Sequence, residues 1–530
     1  MNRVAAAVLI AVSTTGAVFA QDAAPAAAAV APAYDLRADV ERVMKEFDVP
    51  GIAIAVVKDG KVVAAEGFGV RKRGEAARVD GKTIFEIASN SKAFTAAALG
   101  MLVDQGKLSW DDPVIKHLPD FRMYDAYVTA EMTVRDLLTH RSGLGLGAGD
   151  LLWWPTTTFS TDEIIHNLRF VKPATSFRSA YAYDNLLYIV AGKIIAAKSG
   201  KTWGETMHEW ILKPVGMTGT TTSLEENTKF ANVSAPHSKI AGKAVPVKPM
   251  PVANAVGAVG INTSAEDIAR WMNVLLDNGK VGADKRLWSD KQAREMWTAQ
   301  TPMTISQPRP PLAATKPNFY AYGLGFQLRD YQGKLVAMHG GALQGFYTRV
   351  LLVPEAKLGI AIFTNAESGP SLNALQYRLL DQHLGVAPTD WIGRIADIDR
   401  ENQAKEAARV KGEAASRAAQ SKPSLALASY EGDYEDAWYG KVSIKRVNNR
   451  LVMSFTRTPD LTGEMEHFQH DTFIVRWKER NFNADAYVTF SLDHDGSIER
   501  VRMKPVSTET DFSYDFQDLL LVPVKKEKKG

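Results

Sequence analysis

Ser89-Asn90-Ser91-Lys92-Ala93-Phe94-Thr95-Ala96-Ala97-Ala98-Leu99-Gly100-Met101-Leu102 is alanine-rich and free of proline, with a hydroxyl residue at its start and Gly106 just past its end. It predicts a helix over 89–102. On such a helix Ser89 and Lys92, three positions apart, share a face, so the ammonium reaches the hydroxyl. The free N–H groups at the helix N-terminus offer positive potential to a developing oxyanion. Ser89-Asn90-Ser91-Lys92 is the only Ser-x-x-Lys in the chain. Composition alone yields about one such match in a chain of this length, so its position carries the weight. The competing reading is Ser89 as an N-cap with Lys92 solvated.

Upstream, Gly51 to Val57, then Lys58-Asp59-Gly60-Lys61, then Val62 to Ala65 read as a hairpin with an Asp-Gly turn. Downstream, Leu186 to Ala197 reads as a second helix closed by Gly200, and Thr348 to Pro354 and Leu358 to Thr364 read as late strands. Helices between an early hairpin and late strands predict a mixed α/β (α+β) domain over 36–390, with a mainly antiparallel sheet and helical insertions. Residues 391–423 read as a helical connector. Within it Arg400 to Lys422 is charged and alanine-rich, lacks an apolar stripe and ends at Pro423. Over 424–530 the period becomes two: Val442 and Ile444, then an Asn448-Asn449 turn, then Leu451, Met453 and Phe455. Val488, Phe490, Leu492, Asp495-Gly496 and Ile498 continue it, giving a small antiparallel β domain. Two self-consistent patterns separated by a solvated connector predict that a chain ending near residue 395 keeps its catalytic machinery.

The 530 residues carry 63 basic and 60 acidic side chains, a net charge of +3 with no dense basic run before the last few residues, which argues against nucleic acid as a partner. Cysteine is absent, removing disulfides, thiol nucleophiles and thiolate metal sites together. Residues 1–20 carry Arg3, an apolar run from Val4 to Val12, and small residues before Ala20, the layout of a cleaved secretory signal. Ser13-Thr14-Thr15-Gly16 interrupts the apolar run, so no integral membrane span is expected after cleavage. A periplasmic or secreted protein follows, with residues 21–35 as a flexible Ala/Pro-rich leader.

Gly200-Lys201-Thr202 resembles the end of a phosphate loop, but Ile195 occupies the required glycine position and a helix C-cap explains it better. No Gly-x-Ser-x-Gly elbow and no zinc-peptidase histidine pair occurs; neither a metal nor a cofactor is expected. A serine needs a group to take its proton, and a lysine with its ordinary pKa of about 10.4 cannot do so at neutral pH unless buried or next to a cation. A third polar group is therefore required. Tyr183-Asp184-Asn185 stands at the mouth of the second helix, and His339-Gly340-Gly341-Ala342 directly precedes the late strand pair, where two glycines would let backbone approach a ligand.

At these three places the chain resembles the serine β-lactamase and penicillin-binding-protein superfamily, in the branch of class C β-lactamases, D-aminopeptidases and related esterases. Ser-x-x-Lys, Tyr-x-Asn and a Lys/His-x-Gly element stand in that family's order. Gly51 to Val57, Thr133 to Leu144 and Tyr322-Gly323-Leu324-Gly325-Phe326 extend the resemblance over about residues 36 to 385. It implies a β-lactamase/transpeptidase-like sheet flanked by helices, with an all-helical subdomain and a barrel-like β appendage. It implies Ser89 as the acylated nucleophile, Lys92 as its activator, and Tyr183 as general base and later proton donor. Asn185 would orient substrate and Lys92. The N–H groups of Ser89 and Ala342 would form the oxyanion hole. Packing and loop bonding account for His140, and Arg349 is a candidate contact for a substrate carboxylate.

Classical members carry Lys where His339 stands, and a mostly neutral imidazole predicts weaker attraction for anionic β-lactams than for neutral esters, regained as pH falls. The expected activity is hydrolysis of an ester or amide in a small-molecule or peptide substrate, including one derived from cell wall. The alternative is a catalytically weak penicillin-binding or cell-wall-binding protein whose β domain supplies the function. Oligomeric state is not legible.

Overall fold

The computed structural model describes residues 34–525; the signal expected at 1–20 and residues 21–33 of the leader lie outside the described residues. Helix α1 (Leu36–Phe47) is capped by the Asp35 carboxylate, which accepts from the Ala38 N–H. Strands β1 (Gly51–Lys58) and β2 (Lys61–Gly69) form the expected hairpin, with Asp59 and Gly60 at φ +52° and +76°. This mirror-image turn matches the twist of paired strands and requires residues tolerant of positive φ.

Six more strands complete the sheet: β3 (Thr301–Pro302), β4 (Tyr320–Tyr322), β5 (Gln327–Tyr331), β6 (Lys334–Leu343), β7 (Phe346–Val353) and β8 (Leu358–Thr364). Their spatial order is β2-β1-β8-β7-β6-β5-β4-β3, antiparallel throughout. The early hairpin thus docks beside the last strand. β1 reads as an unbroken apolar run because it is covered on both faces. Ile52, Ile54 and Val56 pack with α1 and helix Gly369–Leu384, while Ala53, Ala55 and Val57 belong to the larger core with helix Ala265–Leu276.

Helices α2 (Ser91–Asp104) and α3 (Leu186–Ser199) cross in that larger core, α3 ending at Gly200 with φ +72°. α2 is buried on nearly all sides, and its alanines let neighbours approach closely; Phe94 stacks on Trp271 at 4.3 Å. Its start differs from expectation. Ala88–Asn90 form a 3-10 turn and the α-helix begins at Ser91, so Ser89 is not an N-cap. Ala88 sits at φ +49°, a left-handed conformation that costs a non-glycine residue about 1–3 kcal/mol. Asn90 and Thr348 offset that strain by clamping the turn to β7: Asn90 Nδ2 donates to Thr348 Oγ1 at 2.9 Å, and Thr348 Oγ1 to the Ile87 carbonyl at 3.0 Å.

Helix Trp391–Ser416 covers most of the expected connector but differs at both ends. Its first turn is core: Trp391, Ile392, Ile395 and Ala396 pack against helix Gly369–Leu384, and Trp391 Nε1 donates to Asp381 Oδ2 at 2.7 Å. The helix stops at Ser416, short of Lys422. Beyond it, strands β9 (Gly432–Asp436), β10 (Gly440–Val447), β11 (Arg450–Phe455), β12 (Thr462–Gln469), β13 (Thr472–Trp477), β14 (Ala486–Leu492), β15 (Ile498–Pro505) and β16 (Val522–Pro523) form a second antiparallel sheet. β16 returns beside β9, and Leu521 and Val501 exchange backbone hydrogen bonds of 2.8 and 3.2 Å, closing a barrel. Asn448 and Asn449 both take positive φ at the β10–β11 turn, as their pairing predicts. Val442, Ile444, Leu451, Met453 and Phe455 point into a buried interior where Tyr430, Phe473 and Phe490 pack ring to ring.

Candidate active site

The 3-10 turn places Ser89 in the wall of a cavity of about 520 Å³, which residues of β6, β7 and the loop before α3 also line, and α2 places Lys92 against Ser89 behind that wall. Lys92 is fully buried. Its Nζ donates to Ser89 Oγ at 3.0 Å, to Asn185 Oδ1 at 2.8 Å and to the Ala258 carbonyl at 3.4 Å. The ammonium lies over the rings of Tyr183 and Tyr188, at 4.9 and 5.1 Å. Burial is the largest influence on Lys92 and pulls its pKa down to about 7; Asp150 and Asp184 oppose it without cancelling it. The condition that sequence reasoning set for an activating lysine, burial, is met.

Tyr183 is at the same point, its hydroxyl bonded to Ser89. Burial raises its pKa well above 10, so the resting side chain is a neutral phenol. For the expected role of Tyr183 as general base and later proton donor, Lys92 is the neighbouring cation that would support a phenolate. Asn185, directly before α3, holds Lys92 through its oxygen, and its Nδ2 donates to Asp150 Oδ2 at 2.8 Å.

His339, Gly340, Gly341 and Ala342 lie on β6 and line the cavity. Gly341 is required by packing: a β-carbon there would stand 2.1 Å from the Ile87 carbonyl and 2.4 Å from Thr348 Oγ1. The close approach at Gly341 is to the turn that carries Ser89. Gly340 has room, its nearest neighbour being Arg349 Nε at 3.6 Å.

His339 departs from expectation more sharply. Its Nδ1 donates to the Gly340 carbonyl at 2.6 Å and its Nε2 accepts from the Tyr322 hydroxyl at 2.9 Å. Burial, and next the Lys92 charge, hold its pKa well below 6.5. Neutral, with both ring nitrogens engaged, it has no free donor for a carboxylate, and mild acid does not charge it. Arg349 reaches the cavity, but its guanidinium is tied to Gln376. His140 is buried at φ +52°, accepts from the Asp184 N–H at 3.2 Å and packs between the rings of Tyr183 and Tyr322, as loop bonding and packing imply.

Two contributors were not legible. Asp150 is fully buried beneath Asn185, and only the glycines at 143, 145, 147 and 149 around it hinted at a tightly turned loop. Asp511, Phe512 and Ser513 of the C-terminal domain also line the cavity, and nothing in their local pattern signals it.

The sequence pattern of the Beta-lactamase family matches residues 36–384, and that of a domain of unknown function, DUF3471, matches residues 416–523. Unguisins hydrolase ungD' of Aspergillus campestris is 30% identical over 489 residues, 87% of each chain. Protein flp of Staphylococcus aureus is 27% identical over 340 residues, 62% of each. Among solved structures, the octameric penicillin-binding protein homologue from Pyrococcus abyssi superposes with a TM-score of 0.59 at 23% identity, covering 92% of this chain and 99% of that one. A class C beta lactamase from Rhodobacter sphaeroides gives 0.52 at 18% identity, covering 66% of this chain and 99% of that one.

Proposed function

The chain belongs to the Beta-lactamase family, and from that premise we propose that it is an exported serine hydrolase that opens an ester or amide bond through an acyl-enzyme on Ser89. The observation that carries this reading is the bonded chain from Ser89 to Lys92 to Asn185 inside a cavity, with the lysine pulled to about 7.

A neutral Lys92 accepts the Ser89 proton as Oγ adds to the substrate carbonyl carbon. The carbonyl oxygen becomes an oxyanion facing the N–H groups of Ser89 and Ala342. Tyr183, a phenol at Ser89 whose ring lies 4.9 Å from Lys92 Nζ, gives its proton to the departing alcohol or amine as the tetrahedral centre collapses and takes up the one held by Lys92. Water, deprotonated by the same pair, then attacks the acyl carbon and restores Ser89. A protein retired to binding has no use for a lysine held near neutrality. The fungal relative is named a hydrolase, and its similarity runs through both domains, which supports a hydrolytic role for the whole chain. Export rests on the signal-like residues 1–20 and implies a periplasmic or secreted enzyme. Among the described residues no helix is long and apolar enough to cross a membrane.

Incubation with a fluorophosphonate or a fluorescent penicillin, followed by intact mass and peptide mapping, should show one adduct on the peptide containing Ser89. An adduct that survives in Ser89→Ala would overturn the mechanism.

A further inference from the structure

Between β15 and β16 the chain leaves the barrel, and residues 511–515 lie against the Gly147–Leu151 loop of the hydrolase domain. Phe512 packs so closely on Gly147, at φ +67°, that a β-carbon there would meet Phe512 Cδ2 at 2.6 Å. Asp515 accepts from the N–H groups of Gly149 and Leu151, at 2.6 and 3.2 Å. Ser513 Oγ donates to Asp150 Oδ2 at 2.8 Å, the oxygen that also accepts from Asn185 Nδ2. Ser513 and Asp150 are 4% and 0% exposed, so their bond is shielded from bulk solvent.

We propose that Ser513, acting through Asp150, is a positioning residue for the hydrolase reaction: it fixes the Asn185 amide and through it the Lys92 amine. The proposal deepens the acyl-enzyme reading and rests on it. Burial raises the Asp150 pKa to about 7, against the hydrogen bonds from Trp153, Asn185 and Ser513; its ionised form accepts through Oδ2 from Asn185 Nδ2, which turns the amide oxygen to Lys92. With Asn185 taking one lysine N–H, the amine keeps a fixed direction toward Ser89. Release Asp150 and the amide is free to flip, presenting donors to a donor.

The groups facing Lys92 and Asp150 are Asp184, Asp515, His140, His339, Tyr183 and Tyr188. Trp153 Nε1 donates to the other oxygen, Asp150 Oδ1, at 2.8 Å, so Ser513 is the donor that shares Oδ2 with Asn185. Ser513 favours the ionised carboxylate, and that carboxylate supports the lysine charge. Losing the hydroxyl therefore lowers the Lys92 pKa further.

The test uses the full chain with Ser513→Ala, Ser513→Thr and Asp150→Asn. With a neutral ester, Ser513→Ala should lose about tenfold in kcat with KM within about twofold, the size expected when a hydrogen bond to a charged group is made more strongly in the transition state. Ser513→Thr should restore most of it. The NMR titration of the Lys92 side chain, read without substrate, should move to lower pH in Ser513→Ala and further in Asp150→Asn. An unmoved titration in Asp150→Asn, or wild-type kcat in Ser513→Ala, would overturn the proposal. A wild type that never acylates Ser89 would instead remove the hydrolase reading, which the substrate-free titration distinguishes.

Discussion

In the proposed mechanism Lys92 is the side chain whose protonation decides turnover. Only its neutral amine accepts a proton from Ser89, and its pKa is depressed to about 7, so the competent form dominates above that pH and vanishes below it. We expect kcat/KM for a neutral ester to rise through a limb near pH 7 and level off above it. A profile flat from pH 5 to 9 would show that Lys92 is not the base. His339 adds no second limb, because its imidazole is buried and stays neutral there. At this scale the sequence was informative where side-chain chemistry forms a pattern: Ser89, Tyr183, Asn185 and His339 through Ala342 line one cavity, and Lys92 is bonded to Ser89 and Asn185 behind it. It was silent where the role depends on burial and a distant partner, as for Asp150 beneath Asn185. It also could not show that Tyr322 occupies the imidazole, since that bond depends on β4 lying two strands from β6.

The contact between β6 and the 3-10 turn brings the two halves of the site together. Gly341→Ala would drive a β-carbon into backbone at Ile87, which has no side-chain end to move aside, so the strand and the turn must separate. A displacement of about 1 Å at a reacting centre costs on the order of a hundredfold in rate. We expect that loss in Ser89 acylation by a fluorophosphonate, with Gly340→Ala retaining most activity because its β-carbon has room. Equal rates for the two variants would refute the packing argument. Element positions were largely readable: the Asp59-Gly60 and Asn448-Asn449 turns, the Gly200 stop and strand Leu358–Thr364 all stand where their residues place them. The start of α2 was misread because helix propensity does not register a left-handed Ala88 held by Asn90 and Thr348. The end of the connector was misread because an exposed, alanine-rich tail marks no stop of its own.

Across the whole molecule residues of both domains line one cavity, which bears on the expectation that a chain ending near residue 395 keeps its machinery. Such a chain loses the wall formed by Asp511, Phe512 and Ser513, and it cuts between Ile395 and Ala396, both core residues. Ending instead after Ser416 spares that core; we expect native-like circular dichroism but Ser89 labelling slowed by about tenfold or more, the size of one lost hydrogen bond to a charged group. Labelling at the full-length rate would separate the domains functionally. The boundary near residue 390 was drawn from composition, which records where chain is solvated but not where a returning loop comes to rest. The bond between Ser513 and Asp150 joins residues 363 positions apart. A ribosome delivers Ser89, Lys92 and Asn185 long before it delivers that loop. Between the two events the nucleophile of the proposed mechanism exists without its support, so full reactivity waits until that loop has been made and has docked on Asp150.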